Sequence, residues 1–277
     1  MISSIPRHLF EIEDVKIYKR HSDFKHTVNF ACDDDIIALH DHSREASPMG
    51  IILEIDEQTF VSLTQPIQSL ILSKDRLLIE DVEFNKVNLS FTHHNLIRHI
   101  DIFGFLDDSH IHDLTETIYD ELKPLDFFGP SLTSQSLNNR IHDLKNALNH
   151  EKDCFEAIYH LIGFGEGLTP SGDDIVSGLL AGLLLSNQFN KFHEIKQHVL
   201  KILENKNATS IISRNFINYA CKGIFIESIL SLHSALSNQL PVKPIVTQIG
   251  QMGQTSGRDY LMGLSIGITS GGKNYDS

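Results

Sequence analysis

Gly163-Phe-Gly-Glu-Gly-Leu-Thr-Pro-Ser-Gly-Asp-Asp174 is the stretch of sequence that decides the fold of the C-terminal half. Its closely spaced glycines predict a flexible loop, and the apolar run Ile175-Val-Ser-Gly-Leu-Leu-Ala-Gly-Leu-Leu-Leu-Ser186 predicts a helix that follows the loop. Ser171 and Asp174 have the spacing of a capping box, so Ser171 is expected to be the N-cap of that helix.

The same pattern occurs a second time near the C-terminal end of the sequence. Ser256 aligns with Ser171, and the further matches are Gly172 with Gly257, Asp174 with Asp259, Gly178 with Gly263, Leu179 with Leu264, and Gly182 with Gly267. Composition alone does not explain so regular a match. The sequence therefore predicts two similar Gly-rich loop-helix elements, for which an internal duplication is one explanation.

Each predicted helix carries its aspartate and its glycines on one face, because residues four apart are neighbours on a helix surface. Glycines at that spacing let another backbone approach closely, so the two helices are expected to pack against one another or against a third helix. If they pack together, both N-termini face one cleft. Free backbone N–H groups and the positive end of a helix dipole bind anions, so a phosphate, carboxylate or carbamoyl group is the expected ligand.

The candidate ligand-binding residues lie in these two helix entrances and in residues 207–216, which are predicted to begin a helix running toward Glu227. They are Gly165, Gly167, Thr169, Ser171, Gly172, Asp173, Asp174, Thr209, Ser213, Arg214, Thr255, Ser256, Gly257 and Asp259. Hydroxyl and backbone donors would position the anion, and the guanidinium of Arg214 suits bidentate pairing with it. No catalytic residue is identified.

Carboxylates in the same place work against an anion unless a metal ion or Arg258 lies between them. A Mg-type ion that bridges Asp173, Asp174 and Asp259 to an anionic ligand is therefore left open, although the sequence requires no cofactor. A purely structural reading also stays open, since caps account for the serines and aspartates, and packing accounts for the glycine spacing.

The N-terminal part reads differently from the C-terminal part. Short β-prone runs are separated by turn clusters, namely VKIYKR, HTVNFAC, DIIALH, MGIILEI and SLILS. They predict a mainly β domain, with a barrel as one arrangement, whereas the later segments have apolar residues at helical spacing. The expected fold class is thus α+β, with a mainly β domain over residues 1–128 and a helical domain over residues 129–277.

Composition excludes several classes of protein. The net charge of −13 argues against a general electrostatic affinity for nucleic acid or anionic membranes. Three scattered cysteines suggest neither a disulfide framework nor a thiolate zinc site, and the sixteen histidines offer no convincing set of metal ligands. No apolar run is long enough to span a bilayer, and no signal peptide is recognisable. A cytoplasmic location is therefore expected.

Three strings resemble the AllH-type family: Gly165-Glu-Gly-Leu-Thr-Pro-Ser-Gly-Asp-Asp174, Gly178-Leu-Leu-Ala-Gly182, and Gly253-Gln-Thr-Ser-Gly-Arg-Asp259. Thr209 with Ser213 is similar to that family as well, as is the N-terminal HTVNFACDDDIIALH followed by SPMGIIL. The resemblance extends over most of the chain.

The resemblance implies a subunit of oxamate carbamoyltransferase, a multisubunit activity of allantoin-derived purine catabolism. That activity converts oxalurate and phosphate into oxamate and carbamoyl phosphate, so the substrate would be small and anionic, and FdrA-like and AllG-like subunits would be the partners. Two alternatives stay open. One is a non-catalytic scaffold or small-molecule sensor, and the other is a metal-dependent hydrolase that uses the three aspartates.

Overall fold

The structure is a computed structural model that describes residues 2–80, 82–85, 90–123, 132–150 and 152–270. The chain forms two compact units, Met1–His94 and Asn95–Ser277. The first is mainly β and the second is helical, which confirms the α+β fold class. The predicted division between residues 128 and 129 lies outside the described residues and stays a prediction. The two helices that precede this division pack within the helical unit.

The first unit contains one curled half-barrel sheet and a short helix. Its strands are β1 (Ile2–Pro6), β2 (Lys16–Phe24), β3 (Thr27–Cys32), β4 (Asp35–His40), β5 (Gly50–Leu53), β6 (Ser69–Leu72), β7 (Arg76–Ile79), β8 (Val82–Asn85) and β9 (Phe91–Thr92), and α1 spans Glu57–Thr64. The strand order is β8-β7-β6-β2-β3-β4-β5-β1-β9. The β4–β5 and β1–β9 pairs are parallel, and the other pairs are antiparallel.

Alternating apolar residues explain why this sheet forms. In β3 and β4 the residues Val28, Phe30, Ile37 and Leu39 are all buried, and they pack in one core with Phe60 of α1. A two-residue turn joins β3 to β4, in which Asp33 has a φ of 52°, a left-handed conformation that aspartate tolerates better than most residues. All five β-prone runs of the sequence correspond to strands, so the prediction of a mainly β domain is confirmed.

The second unit is built from helices around one apolar core. They are α2 (Leu96–Phe103), α3 (Asp108–Leu122), α4 (Leu132–Asn149), α5 (Phe155–Leu161), α6 (Ser171–Leu185), α7 (Phe189–Leu203), α8 (Ile211–Cys221), α9 (Glu227–Ser237), α10 (Lys243–Gly250) and α11 (Ser256–Thr269). The prediction of one helix running toward Glu227 is wrong in one respect, because α8 ends at Cys221. Gly223 follows with a φ of 73°, which no α-helix allows. In the described part of the chain, no helix meets the length and apolarity that a membrane span requires.

Helix α6 lies at the centre of the helical unit. Every residue after its first turn is buried, and the helix contacts α5, α7, α8 and α11. A helix that is apolar all round can be stable only inside a core, which explains its composition. The N-terminus of α6 is therefore held in place by the packing of four neighbouring helices.

The half-buried His99 and the buried His233 join α2 to α9. The Nε2 of His233 lies 3.1 Å from the carbonyl oxygen of Gly104, which can only accept, so this nitrogen carries the proton. Its Nδ1 then accepts from Nδ1 of His99 at 3.1 Å, and Nε2 of His99 accepts from the hydroxyl of Ser234 at 3.2 Å. A proton added at Nδ1 of His233 would place two N–H groups against each other.

We expect acid to destabilise the chain through this pair. Burial, followed by the neighbouring His99, lowers the pKa of His233 from its usual 6.5 to about 4. The unfolded chain therefore takes up this proton before the folded one does, and stability is lost as the pH falls from 6.5 toward 4. Chemical denaturation between pH 4 and 7 should show a steeper loss for the unsubstituted chain than for His233→Asn. Replacement of the exposed His142 by asparagine should leave the slope unchanged.

Candidate functional site

The site is built on the parallel pair of helices α6 and α11, which pack through their glycines. A Cβ atom added at Gly178 would lie 2.0 Å from the carbonyl oxygen of Tyr260, and one added at Gly263 would lie 1.9 Å from the carbonyl oxygen of Ile175. Gly182 meets Gly267 in the same way one turn later. Contacts that advance together along both helices require the helices to run in the same direction, so both N-termini lie at one end.

At the two N-termini, each helix places a serine hydroxyl beside the aspartate carboxyl of the other helix. Ser256 of α11 is a hydrogen-bonding neighbour of the Asp174 carboxyl on α6, and Ser171 of α6 is a hydrogen-bonding neighbour of the Asp259 carboxyl on α11. In addition, Thr169 Oγ1 lies 3.1 Å from Ser256 Oγ. The predicted packing of the two helices against one another is thus confirmed, and each helix supplies a hydroxyl to the aspartate of the other.

The predicted capping box is wrong. The N-cap of α6 is Pro170 and that of α11 is Thr255, and neither makes a side-chain cap. Ser171 and Ser256 are instead the first helical residues. Proline cannot donate a backbone hydrogen bond, and its extended ψ of 144° ends the loop one residue before Ser171. The shift of one residue turns the hydroxyl of Ser171 away from its own helix and toward Asp259.

The backbone donors at these N-termini are largely occupied within the chain. The amide of Gly172 donates to the carbonyl oxygen of Phe164 at 2.8 Å, and the amide of Gly257 donates to that of Met252 at 2.9 Å. The amides of Asp173 and Asp259 bond back to the N-cap carbonyls. The expectation that these amides are free to bind an anion is therefore wrong. Hydroxyl and carboxyl oxygens, not amides, give the site its chemistry.

The loop before α6 folds back on the helix N-terminus. Gly165 has a φ of 125°, and a Cβ there would lie 2.7 Å from the amide nitrogen of Ser171, so only glycine fits this close approach. Gly167 is exposed and also has a positive φ, of 86°. Next to them, the ring of Phe164 lies 4.2 Å from the guanidinium of Arg140, a cation–π contact that fixes the start of the loop.

Asp173 holds the first entrance together. One of its carboxylate oxygens accepts from the amide of Gly163 at 2.7 Å, and the other accepts from the hydroxyls of Thr209 and Ser213. Burial raises the pKa of Asp173, and these three hydrogen bonds oppose that rise. Thr209 and Ser213 therefore lie beside the site as predicted, but their hydroxyls are engaged by a buried carboxylate.

Arg214 is engaged by the loop between α7 and α8. Its guanidinium donates to the backbone carbonyl oxygens of Asn205 and Lys206, and the residue is buried. These carbonyls follow the C-terminal end of α7, where a cation is favoured by the helix dipole. The Nη2 atom of Arg214 thus holds a loop, whereas its buried Nε makes no hydrogen bond within the described residues, and the expected pairing of Arg214 with an anionic ligand stays a prediction.

The electrostatics of the site are dominated by two carboxyl groups without a basic partner. Burial, and then the charges of Asp259 and Asp173, raises the pKa of Asp174 to about 8, while Ser256 opposes the rise. Burial also raises the pKa of Asp259, against the effect of Ser171 and Thr255. The Oδ2 atoms of Asp174 and Asp259 are closed to solvent and make no hydrogen bond within the described residues. Sequence reasoning missed this, since orphaned oxygens leave no trace in a residue pattern.

Other chemistry-bearing groups lie elsewhere. A cavity of about 260 Å³ is lined by residues from α4, from α7 and from the connection between α4 and α5, including Cys154, whose pKa burial raises to about 11. This thiol is therefore unreactive at neutral pH. Across residues 2–80, 82–85, 90–123, 132–150 and 152–270, no three His, Cys, Asp or Glu side chains form a group suited to a metal ion.

A family model described as "Oxamate carbamoyltransferase subunit AllH" matches residues 161–268. The match begins in the loop before α6 and ends within α11, so both loop-helix elements and the Thr209–Ser213 segment lie inside it. It confirms the resemblance to this family over the region that forms the site. No solved structure matches the chain.

Proposed function

We propose that this chain is a subunit of a carbamoyltransferase complex and that the paired N-termini of α6 and α11 bind its small anionic substrate. The observation that carries the proposal is that hydroxyl groups of the two helix entrances lie side by side. Thr169 Oγ1 of the first entrance lies 3.1 Å from Ser256 Oγ of the second. The family name points to a subunit, and thus to a complex of several chains. FdrA-like and AllG-like subunits are the partners proposed.

The proposed reaction is phosphorolysis of oxalurate. A phosphate oxygen attacks the carbamoyl carbon, the bond from that carbon to the amide nitrogen breaks, and the proton from phosphate passes to the leaving nitrogen, giving carbamoyl phosphate and oxamate. Phosphate, oxalurate and the oxyanion formed on attack are all hydrogen-bond acceptors. Fixed donors that are held in place before the reaction stabilise such charge better than water does.

The chain's own residues would supply these donors as hydroxyl groups, and the hydroxyls of Ser171 and Ser256 would turn from the carboxyls of Asp259 and Asp174 to the substrate when it binds. Ser171, Ser256 and Thr169 are half-buried, so each combines a fixed position with access to solvent. Thr255 is exposed at the rim. The tight packing of α6 on α11 keeps the distance between the two hydroxyl sets constant, and orientation of this kind is the main contribution expected from them.

We expect Ser171→Ala and Ser256→Ala each to slow carbamoyl transfer by about 10- to 100-fold, because each removes one oriented donor. The assay is phosphorolysis of oxalurate by the complex assembled with its partner subunits. Ser265→Ala is the matched control, since Ser265 lies on α11 away from its N-terminus and is similarly half-buried.

Equal rates for all three variants, with equal thermal stability, would refute the proposed role of the hydroxyls. The scaffold alternative makes a different prediction. There, binding of the partner subunits alone would raise the melting temperature, whereas phosphate or oxalurate would not. The glycine faces of α6 and α11 are covered by each other, so a partner would have to bind another surface of the helical unit.

A further inference from the structure

We infer that Asp174 and Asp259 together bind one divalent cation of the Mg²⁺ type between the N-termini of α6 and α11. The ion would lie between the two Oδ2 atoms, with the hydroxyls of Ser171 and Ser256 as its polar surroundings. This inference rests on the proposed function in one respect only, namely that the ion would also contact the anionic substrate.

The first observation is the pair of orphaned oxygens. Asp259 is only 3% exposed, and its Oδ2 makes no hydrogen bond within the described residues; the Oδ2 of Asp174 is likewise closed to solvent and unpartnered. A buried polar atom without a partner costs free energy, so native proteins nearly always supply one. The two orphaned oxygens occupy equivalent positions in two copies of one motif, so a local packing fault does not explain them.

The second observation is the absence of a protein cation beside them. Among the residues that the structure describes, neither Asp174 nor Asp259 forms an ion pair with a lysine, arginine or histidine. Arg258 is exposed, although it belongs to the same helix turn as Asp259. No side-chain cation of the described residues therefore occupies the place that the bound ion would take.

The donor set fits Mg²⁺ better than other ligands. Mg²⁺ is bound through one or two carboxylates, completes its coordination with water and substrate phosphate oxygens, and needs no all-protein cage. Two carboxylates agree with this pattern. The ion would also remove the repulsion between these carboxylates and phosphate.

The test is binding of Mn²⁺ to the full chain alone, without partners or substrate, followed by the loss of the free-ion electron paramagnetic resonance signal. We expect the chain to bind a single Mn²⁺ ion and Mg²⁺ to displace it. Asp174→Asn and Asp259→Asn should each weaken binding by about tenfold or more. Glu166→Gln, which removes an exposed carboxylate from the adjacent loop, should bind as the unsubstituted chain does.

Two outcomes would overturn the inference. One is no Mn²⁺ binding by the unsubstituted chain, and the other is equal binding by both aspartate variants while circular dichroism shows them folded. Failure of the ion site and failure of the proposed function are measured separately. The ion site is tested by Mn²⁺ binding to the chain alone, and the proposed function is tested by oxalurate phosphorolysis in the assembled complex. If the chain binds the ion but the Ser171 and Ser256 variants transfer the carbamoyl group at the normal rate, the result supports the ion site and not the proposed function.

Discussion

Asp174→Asn is expected to stabilise the chain in the presence of a chelator, by about 2–4 kcal/mol near neutral pH. The folded protein must keep this carboxyl in a buried place beside Asp259 and Asp173, which raises its pKa to about 8. Asparagine has nearly the same shape and carries no charge, so the unfavourable burial disappears. Urea denaturation of both proteins at pH 7 measures the difference directly.

The size of this stabilisation by Asp174→Asn depends on pH. A carboxyl whose folded pKa lies above its unfolded value of 3.8 stabilises the fold at low pH, and that stabilisation is lost as the pH rises toward 8. The advantage of Asp174→Asn should therefore be small near pH 4 and largest above pH 8. His233 contributes equally to the stability of the unsubstituted chain and of Asp174→Asn, so its contribution cancels in the difference between them.

Asp173→Asn is the matched control, one residue earlier on the same helix. Its carboxylate accepts hydrogen bonds from Gly163, Thr209 and Ser213, and an amide group cannot accept all three. This variant should lose stability. If Asp174→Asn were destabilised to a similar degree, Asp174 would be a structural residue like its neighbour, and the idea that it is retained for binding at a cost in stability would be wrong.

Gly263→Ala is expected to separate α6 from α11 and to lower stability by about 3 kcal/mol or more. The added Cβ would lie 1.9 Å from the carbonyl oxygen of Ile175, a backbone atom in a buried helix that has no free direction in which to move. Gly178→Ala meets the Tyr260 carbonyl oxygen at 2.0 Å and should act alike. Chemical denaturation gives the loss of stability, and the transfer assay should show a loss of activity in both variants.

Gly250→Ala is the control for these two variants. Gly250 ends α10, and the nearest atoms to an added Cβ are side-chain atoms at 3.4 Å, an ordinary contact. Alanine favours helix by about 1 kcal/mol over glycine, so this variant should be neutral or slightly more stable. A comparable loss at Gly250 would mean that helix packing at the glycine stripe is not the cause.

Alternation and helical spacing predicted most of the fold. The run HTVNFAC alternates at Val28 and Phe30 and forms β3, and the continuous apolar run within DIIALH forms β4. The segment Glu57–Thr64 was not predicted as a helix, although Asp56 caps it by accepting from the amide of Thr59. Strands β8 and β9 also escaped prediction. Short elements at the edges of a sheet carry too few buried residues for a period to show.

The site was predicted as far as local patterns reach. The glycine spacing predicted that α6 and α11 could pack together, and a parallel pair follows from the contacts of Gly178 and Gly263. The contact of each serine hydroxyl with the aspartate of the other helix was not predicted, because a capping box explains the same residues within one helix. Likewise, the engagement of Arg214 by backbone carbonyls depends on where α7 ends in space. Contacts of that kind are decided by tertiary structure.

The reciprocal contacts of α6 and α11 have the form of an isologous dimer interface contained in a single chain. In a true homodimer every substitution appears on both sides, so the two half-sites stay identical. Within a single chain the two half-sites are free to differ, and the aligned positions 173 and 258 do differ. One is a buried aspartate tied to α8, and the other is an exposed arginine. A ligand with two unlike ends would therefore meet two unlike half-sites and could bind in one direction only.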